Sequence, residues 1–401
     1  PGPTLNWSHP NEERAMTQTY GPDRIREMNS LAVLAHLRAI EDTTSSQIAA
    51  ATGLSRTSVN ATITDLERLG WVQSLPPTSP PTGRPAKRYR FRSESGFVLG
   101  IDIGANRIAT SLTDLCGEEK CAEETELAPS SAAPRRMEAV QHTISHTLEK
   151  NPSYRDGLAL ISVAVTGPVD EAGRMPFGGP LPGWESVPMV QELQACYKRP
   201  VTVENDCKCA LDAESHLGQA QDVSSAVYIM AGARIGASFM IDGKVCRGSA
   251  GAAGEIGALP HLNWYKTPAH FFTHSQLPAD LPHRSAARWV CDRMRDGDAE
   301  ATRIVKEFAR DLALGAAALI LTIDPEVLIL GGGISASADL WKDEFSSRLE
   351  ELTIHMPEIR VSQLGGRGVV QGAVCRGIDQ ITAHACGEQL LPASEVIQIV
   401  S

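Results

Sequence analysis

A glycine-rich stretch from Val227 to Ala258 has the residue types best suited to close contact with a ligand. It holds seven glycines in 32 residues, between short apolar runs. Glycine lets a backbone approach a ligand closely and adopt positive φ. The pair Asp242-Gly243 predicts a tight hairpin between two extended segments. The stretch therefore predicts one wall of a ligand cleft on a β scaffold; the alternative is a glycine-rich surface loop without function.

A second chemical candidate is the carboxylate of Asp206. It closes a predicted strand that begins at Val201, and a helix is predicted from Cys207 to Leu217. A carboxylate at this place can accept a hydrogen bond or a proton from a ligand hydroxyl. Asn205 and Asp206 can also cap the following helix. We favour a ligand contact for Asp206, and it can serve both purposes.

Both segments, together with others, resemble the ROK family of repressors, open reading frames and sugar kinases. The family's motifs are a D-x-G-x-T turn, G-P-V-D, an N-L-x-G-W sugar loop, E-N-D, G-T-G-I-G, G-x-x-G-E-x-G-H and N-P-E-x-I-x-L-G-G-G. The matching segments are Asp102 to Asn106, Gly167 to Asp170, Gly179 to Trp184, Glu204 to Asp206, Gly232 to Gly236, Gly251 to Ala258 and Ile323 to Gly333. The resemblance covers residues from about 20 to 390.

The resemblance implies an α/β fold with an N-terminal winged helix-turn-helix, followed by a two-lobed actin-like ATPase (ribonuclease H-like) ROK domain. We expect a disordered leader over residues 1–19 and the winged helix-turn-helix over residues 20–92. The first ROK lobe is expected over residues 93–215 and the second over residues 216–401, with the C-terminal helix returning to the first lobe.

Several chemical positions of the family's kinases are changed. Asp206 matches the family's general base, which removes a proton from the sugar hydroxyl. Asn106, however, stands where a Thr or Ser approaches phosphate, and Ala233-Arg234 replaces Thr-Gly. An Arg side chain should crowd the nucleotide, and phosphoryl transfer depends on close positioning. Pro180 replaces the Asn of the sugar loop and removes a hydrogen-bonding side chain. We therefore expect that the protein has no kinase activity and is not an enzyme.

The retained polar groups predict a site for a small polar effector, either a sugar or a non-sugar. Carboxylates can accept from hydroxyl or ammonium groups, and Arg234 can pair with a carboxylate or phosphate. The predicted effector-binding residues are Gly183, Trp184, Asn205, Asp206, Arg234 and Glu255.

The family's zinc site is not expected in this chain. Ala258 replaces the ligand His, and no cysteine lies between Cys246 and Cys291. Histidines without thiolates make a poor structural zinc site. We predict surface histidines and no cofactor. The histidines concerned are His261, His270, His274 and His283.

The N-terminal region has the pattern of a helix-turn-helix. Three helices are predicted over Arg24 to Ile40, Ser45 to Thr52 and Arg56 to Leu69. Thr44 and Gln47 form a capping box, Gly53 stops the second helix, and Ser55 caps the third. The apolar stripe of the first helix is Ile25, Met28, Leu31, Leu34 and Leu37. A small helical interaction module is the alternative to a DNA-binding unit.

The third helix is predicted to contact DNA. Residues near the start of a recognition helix contact base edges, and Arg and Asn pair well with guanine and adenine. Arg56, Thr57 and Asn60 are the predicted base contacts, with Ser55 and Ser58 near phosphate and Thr64 on the same polar face.

Two strands, Trp71 to Ser74 and Lys87 to Arg92, predict a wing, with a solvated linker as the alternative. Its basic residues Arg84, Lys87 and Arg88 could follow phosphates or enter a minor groove. Residues 20–92 carry a net charge of +4 within a chain of net charge −11. A basic N-terminal domain followed by an acidic remainder is typical of a domain that binds nucleic acid.

The whole pattern predicts a transcriptional regulator whose DNA binding is controlled by an effector. The expected partners are double-stranded DNA, a small molecule and a second copy in a homodimer or homotetramer. Repressor and activator both stay open, and the alternatives are an ATP-dependent sugar kinase or a scaffold protein. The 401 residues show no secretory signal and no membrane span, and nine scattered cysteines predict no disulfide framework, so we expect a cytoplasmic protein.

Overall fold

The computed structural model describes residues 22–78, 86–176, 181–232, 234–282, 285–386 and 391–396. The predictions made for Arg84, Pro180, Ala233 and His283 fall outside these ranges. The chain divides into two compact units: Pro1–Arg92 with Thr382–Ala393, and Ser93–Ile381 with Ser394–Ser401. In the described part of the chain, no helix has both the length and the apolar character needed to cross a membrane.

The first unit is a winged helix-turn-helix, as predicted. Its elements are α1 (Pro22–Arg38), β1 (Thr43–Thr44), α2 (Ser45–Thr52), α3 (Arg56–Arg68), β2 (Val72–Thr78) and β3 (Ala86–Phe91). The three strands form one antiparallel sheet in the order β1-β3-β2.

The turn between α2 and α3 is fixed by caps. Thr44 Oγ1 accepts from the Gln47 N–H at 3.4 Å, and Gln47 Oε1 accepts from the Thr44 N–H at 3.0 Å, which completes the capping box. Gly53 ends α2 at φ 71°, a left-handed conformation that glycine adopts without a steric penalty. Ser55 Oγ then accepts from the Ser58 N–H at 3.0 Å and starts α3.

The buried face of α1 differs from the predicted stripe. Leu34 and Leu37 are buried, but Ile25 and Met28 are each 48% exposed. The helix packs against α2 and α3 through a face that passes through Val33, Leu34 and Leu37. The first turns of α1 therefore stay in solvent, and apolar spacing alone overestimated the length of the buried stripe.

A late segment of the chain completes this first unit. The Trp71 indole Nε1 donates to the Leu391 carbonyl at 2.8 Å, and the Ala393 N–H donates to the Leu69 carbonyl at 2.9 Å. Trp71 is 3% exposed. Leu391 and Ala393 thus pack with the winged helix-turn-helix, although nothing in their own sequence pattern predicts this.

The first half of the second unit is built on a five-stranded mixed sheet. Its elements are β4 (Phe97–Ile103), β5 (Arg107–Asp114), β6 (Glu119–Glu126), α4 (Ala133–Glu149), α5 (Pro152–Asp156), β7 (Leu158–Val165), α6 (Met189–Tyr197), β8 (Val201–Asn205) and α7 (Asp206–Leu217). The strand order is β6-β5-β4-β7-β8. β4 and β7 are buried along their full length, as their continuous apolar runs predict.

The second half repeats this plan. Its elements are β9 (Ala226–Ala231), β10 (Ile235–Ile241), β11 (Lys244–Val245), α8 (Ala286–Arg295), α9 (Ala299–Ile323), β12 (Val327–Gly331), α10 (Lys342–Leu352), β13 (Glu358–Val361), α11 (Gly368–Ala385) and α12 (Ala393–Val396). The strand order is β11-β10-β9-β12-β13. The described architecture is therefore the predicted α/β one: a winged helix-turn-helix and two lobes with mixed sheets.

The Asp242-Gly243 hairpin forms as predicted. Both residues have positive φ, 51° and 70°, and Met240 pairs with Val245 across the turn. Two positive φ values are the mark of a type I′ turn, whose twist matches that of the strands.

Strand direction in the first lobe collects polar residues at one edge. β4, β7 and β8 are parallel, so their carboxyl ends meet there. Asp102 lies near the end of β4, Thr166 follows β7, and Asp206 follows β8. Ligands of open α/β sheets bind outside the carboxyl ends of the strands. The fold therefore places these three residues where a ligand site is expected.

Candidate functional site

The exposed face of α3 carries a row of polar side chains. Arg56, Thr57, Asn60 and Thr64 are all exposed. The Thr64 hydroxyl donates to the Asn60 carbonyl at 2.8 Å, so it is engaged within the helix. Within the described ranges, the side chains of Arg56, Thr57 and Asn60 have no hydrogen bond or ion pair. These three are therefore available to contact base edges.

The two serines at the start of α3 have local partners. Ser55 Oγ caps the helix, and the hydroxyls of Ser55 and Ser58 lie 2.9 Å apart. Ser55 is exposed and Ser58 is half-buried. Both serines therefore fix the start of the helix that presents Arg56 and Thr57.

The wing cations Lys87 and Arg88 are paired with acids of the same unit. Lys87 Nζ lies 3.2 Å from Glu67 Oε1, and Arg88 forms an ion pair with Asp42. An exposed ion pair contributes about 0–1 kcal/mol, so phosphate can replace Glu67 at Lys87 at little cost. Arg88 is half-buried and is held more firmly. Both acids lie outside the basic stretch in the sequence, so the local sequence did not indicate these ion pairs.

The amino end of α7 combines a helix cap with a buried carboxyl. Asn205 Oδ1 accepts from the Lys208 N–H at 3.1 Å and is the N-cap. Asp206 Oδ1 accepts from the Cys207 N–H at 2.8 Å and from Asn205 Nδ2 at 3.1 Å. Asp206 is 9% exposed. The cap is therefore Asn205, and Asp206 is a buried carboxyl held in place by its neighbours.

Asp102 and Asp206 form an electrostatically coupled pair. Burial raises the pKa of Asp102 to about 7; Arg107, 3.4 Å away, lowers it, and Asp206 raises it. Burial also raises the pKa of Asp206, while hydrogen bonds from the Thr166 side chain and the Cys207 N–H lower it. Two buried carboxyls with raised pKa values are suited to donate or accept hydrogen bonds with a polar ligand.

Arg234 and Glu255 both interact electrostatically with Asp206. Burial lowers the pKa of Arg234 and Asp206 raises it, although the residue as a whole is exposed. Burial also raises the pKa of Glu255; Lys208 lowers it and Asp206 raises it further. The structure therefore brings Asp206, Arg234 and Glu255 into one charged group, from positions 49 residues apart in the chain.

Gly183 and Trp184 have different surroundings. Gly183 is exposed at φ 70°. Trp184 is 2% exposed and belongs to the apolar core of the first lobe. Its indole is therefore covered by protein, so its part in the predicted effector site has to be corrected: it anchors the loop that presents Gly183.

Lys208 was missed by sequence reasoning. It is completely buried on α7, and its Nζ donates to the Gly251 carbonyl at 2.8 Å. Its charge also opposes the rise in the pKa values of Asp206 and Glu255 that burial causes. A lysine two residues after a candidate acid, on the helix predicted from Cys207 to Leu217, is the signal that was available.

A buried ion cluster next to Asp206 was also missed. Glu204 is 1% exposed, and its Oε2 lies 2.7 Å from both Arg247 Nε and Arg376 Nη2. Neither contact with Glu204 Oε2 has hydrogen-bond alignment, so both are ion pairs only. Arg376 also reaches Asp212 at 3.0 Å. The cluster joins β8 and α7 to α11, and its members are too far apart in the chain for spacing to indicate it.

The region where the family places zinc is held by other contacts. Trp264 is 1% exposed, and its Nε1 donates to the Leu312 carbonyl at 3.3 Å. The prediction of surface histidines is wrong for His274, which is 4% exposed and 3.3 Å from Asp298. His270 is half-buried and 2.8 Å from Asp311. In the described part of the chain, no three His, Cys, Asp or Glu side chains are grouped to hold a metal.

Known proteins resemble the chain along most of its length. Residues 98–267 and 275–377 match the model of the ROK family, and residues 27–84 match that of the MarR family. The xylose repressor of Caldicellulosiruptor bescii is 21% identical over 387 residues, which cover 89% of this chain and 97% of that protein.

Two solved structures share the fold. A ROK family transcriptional regulator, homolog of the E. coli MLC protein, superposes with a TM-score of 0.70 at 18% identity, over 93% of this chain and 99% of its own. A ROK family glucokinase from Streptomyces griseus, in complex with glucose and AMPPNP, gives a TM-score of 0.61 at 23% identity, over 71% of this chain and 100% of its own. With the family match covering both lobes, this chain belongs to the ROK family and carries a MarR-type winged helix-turn-helix at its N-terminal end.

Proposed function

We propose that this protein is a DNA-binding transcriptional regulator, most simply a repressor, whose operator binding is controlled by a small polar effector. The observation that carries the proposal is the exposed, unpaired row of Arg56, Thr57 and Asn60 on a capped α3. The full-length likeness to the xylose repressor of C. bescii supports it. Such a protein acts where the chromosome is, in the cytoplasm.

The recognition helix works through two kinds of contact. Arg56 and Asn60 can hydrogen-bond guanine and adenine, and each good pair contributes about 1–3 kcal/mol of discrimination. Lys87, whose exposed ion pair with Glu67 phosphate can replace, adds a phosphate contact, which carries no sequence information. We propose that two copies bind two half-sites as a homodimer or homotetramer, because a single winged unit covers too little DNA for high specificity.

We propose that the effector binds beside Asp206, with Asn205, Glu255 and Arg234 as its other polar contacts. Burial raises the pKa values of Asp206 and Glu255, and a carboxyl group accepts from ligand hydroxyls when ionised and can also donate when protonated. The effector acts by binding one conformation of the ROK domain more tightly than another, and only that difference in affinity can shift DNA binding.

The second candidate function is an ATP-dependent sugar kinase. It is favoured by the position of Asp206, a buried acid whose raised pKa suits a general base. Against it stand the exposed Arg234 near Asp206 and the Asn106 side chain at the phosphate turn. We propose that this chain binds its ligand without phosphorylating it.

The test is selection of genomic fragments by the purified full-length protein, followed by gel shift on a recovered fragment. We expect a sequence-specific complex that Arg56→Ala weakens by at least about tenfold. Arg68→Ala, at the exposed end of the same helix, is the matched control and should leave affinity nearly unchanged. Enrichment of no sequence over random DNA would refute the proposal, and hexose phosphorylation with ATP would establish the kinase instead.

A further inference from the structure

Arg136, on α4, is a buried cation without an acidic partner. It is completely buried in the first lobe. Its Nη1 donates to the carbonyls of Gly104 and Ala105 at 2.6 and 3.2 Å. Its Nε and Nη2 have no hydrogen-bond partner among the described residues. A buried, unpaired charge is expensive unless something compensates it.

Most other arginines that are partly buried in this unit contact an acid. Within the described residues, Arg107, Arg247, Arg360 and Arg376 each contact at least one carboxylate. The half-buried Arg199 contacts backbone carbonyls only, and all three of its guanidinium nitrogens donate to one. Arg136 differs from both kinds: it is completely buried, it forms no ion pair among the described residues, and two of its nitrogens have no acceptor. Burial lowers its pKa with no acid opposing the effect. Arg136 therefore calls for a partner from outside the described residues.

The two unpaired nitrogens have the geometry of an anion fork. In a guanidinium, Nε–H and one Nη–H point the same way and form parallel hydrogen bonds to the two oxygens of a carboxylate or phosphate. In Arg136 the Nη1 edge is used by the Gly104 and Ala105 carbonyls, and the Nε–Nη2 edge is the one left free.

The surroundings of Arg136 also favour an anion. α4 begins at Ala133 with no side chain capping its first turn; Pro134 has no N–H, so the N–H groups of Ala133 and Arg135 are the ones in this turn without an intrahelical acceptor. Arg136 lies one turn into that helix. A methyl group built on Gly183 would lie 3.6 Å from Ala133 Cβ, so the exposed Gly183 loop passes over this helix start. The turn held by Arg136 follows directly after Asp102.

We propose that the effector is an oxyanion, a sugar acid or sugar phosphate, whose carboxylate or phosphate pairs side-on with Nε and Nη2 of Arg136 beside the first turn of α4. The inference rests on the effector control proposed above and names the chemical class of that effector. Asp206 and Glu255 then contact the hydroxyl end of the same molecule, so the site discriminates by charge at one end and by hydrogen bonding at the other.

The test uses the full-length protein and four probes: D-glucuronate, D-glucose 6-phosphate, inorganic phosphate and neutral D-glucose. Thermal unfolding and titration calorimetry are measured for the wild type, Arg136→Met and Arg136→Lys. The matched control is Arg135→Met, the preceding residue, whose exposed side chain pairs with Glu138. Glucuronate against glucose 6-phosphate separates a carboxylate from a phosphate, and inorganic phosphate shows whether the sugar ring is needed.

We expect at least one organic anion to raise the thermal unfolding midpoint of the wild type and of Arg135→Met. The same anion should bind Arg136→Met at least about tenfold more weakly than it binds the wild type. Arg136→Lys keeps the positive charge but cannot form two parallel hydrogen bonds, so its affinity for the anion should lie between those of the wild type and Arg136→Met. Without ligand, Arg136→Met removes an uncompensated buried charge and also removes the donor to the Gly104 and Ala105 carbonyls, so the two effects oppose each other and the affinity for the anion is the deciding measurement.

Three results would overturn the inference: an unchanged wild-type midpoint with all three anions, equal anion affinity in Arg136→Met, or a preference for D-glucose over every anion. If Arg136→Met does not fold, Arg136→Lys and the comparison of charged with neutral probes on the wild type still decide. Genomic fragment binding by the unliganded protein reports on the regulator proposal separately, so the two can fail independently.

Discussion

The Lys208 ammonium donates a 2.8 Å hydrogen bond to the Gly251 carbonyl, and this contact joins the two segments that carry the candidate acids. Lys208 lies two residues after Asp206 on α7, and Gly251 lies four residues before Glu255. Because Lys208 is completely buried, its charge acts on both acids and opposes the rise in pKa that burial causes in each of them. One side chain thus positions a loop and tunes the acids on either side of it.

Replacing Lys208 should loosen the glycine-rich segment. Lys208→Met leaves the buried Gly251 carbonyl without its donor, a loss of about 1–3 kcal/mol in local stability. We expect faster amide hydrogen exchange over residues 251–255, with exchange in α9 unchanged. The exposed Lys244→Met is the control, and equal exchange in both variants would contradict the assigned role.

Gly251 itself should not tolerate a side chain. It has φ 72°, and a Cβ at this position would overlap the Val169 carbonyl oxygen. We expect Gly251→Ala to lower stability by about 3 kcal/mol, through strain and overlap together. Gly297 has φ 87° with open space around it, so Gly297→Ala isolates the strain at about 1 kcal/mol. Urea unfolding measures both, and similar losses would show that the overlap is relieved by a small shift.

Neutralising Glu204 should be strongly destabilising. Glu204→Gln leaves Arg247 and Arg376 facing each other beside a neutral amide, and breaking a buried pair in this way costs about 3–5 kcal/mol. The exposed Glu185→Gln is expected to change stability by less than about 0.5 kcal/mol. If the midpoint of urea unfolding is the same for the two variants, the cluster does not stabilise the unit.

Asp102 should make stability fall with rising pH. Its pKa is about 7 in the folded protein, above the ordinary value of 3.8. The folded state therefore holds the proton more tightly, and this stabilisation, present below pH 4, is lost as pH rises through 7. Asp102→Asn cannot ionise, so its stability relative to wild type should increase between pH 5 and pH 8, by up to about 3 kcal/mol.

The control for this pH effect is Asp298, whose pKa shift has the opposite sign. Hydrogen bonds from the Ala301 and Glu300 N–H groups and from Arg293 hold the pKa of Asp298 below its usual range. Its contribution is present at neutral pH and is lost on acidification, so the loss caused by Asp298→Asn should shrink as pH falls. Unfolding midpoints at several pH values check both slopes; parallel slopes for the two variants would reject the assignment.

Base contacts and phosphate contacts should respond differently to mutation. Asn60→Ala should weaken binding to the selected fragment by about 1–3 kcal/mol and relax the preference at one base position. Lys87→Ala should weaken all sequences about equally and reduce the salt dependence of binding. Gel shifts at two salt concentrations on matched and substituted fragments separate the two patterns. Equal losses for Asn60→Ala on every fragment would exclude a base contact.

Local patterns were enough to predict most elements. The capping box at Thr44, the stop at Gly53 and the Asp242-Gly243 turn all depend on neighbours within a few residues. Such features are determined by the chain itself, so their prediction was confirmed. The stripe of α1 was wrong at Ile25 and Met28, because burial there depends on where α2 and α3 pack and not on spacing.

Prediction of the site was weaker for the same reason. Asp206 and Glu255 could be proposed because each belongs to a short motif. The partners of Lys87 and Arg88, and the burial of Trp184, depend on distant segments that no local pattern identifies. Arg136 was missed because what distinguishes it is the lack of an acid nearby, which a sequence does not record.

The contact of Trp71 with Leu391 has a consequence for how the protein is made. The winged helix-turn-helix leaves the ribosome first. Leu391, which accepts from the Trp71 indole, and Ala393, which donates to the Leu69 carbonyl, are translated some 300 residues later. During that interval the nascent domain exposes a tryptophan that the finished molecule covers. Chains truncated before Leu391 should thus have a winged helix-turn-helix that is prone to aggregate.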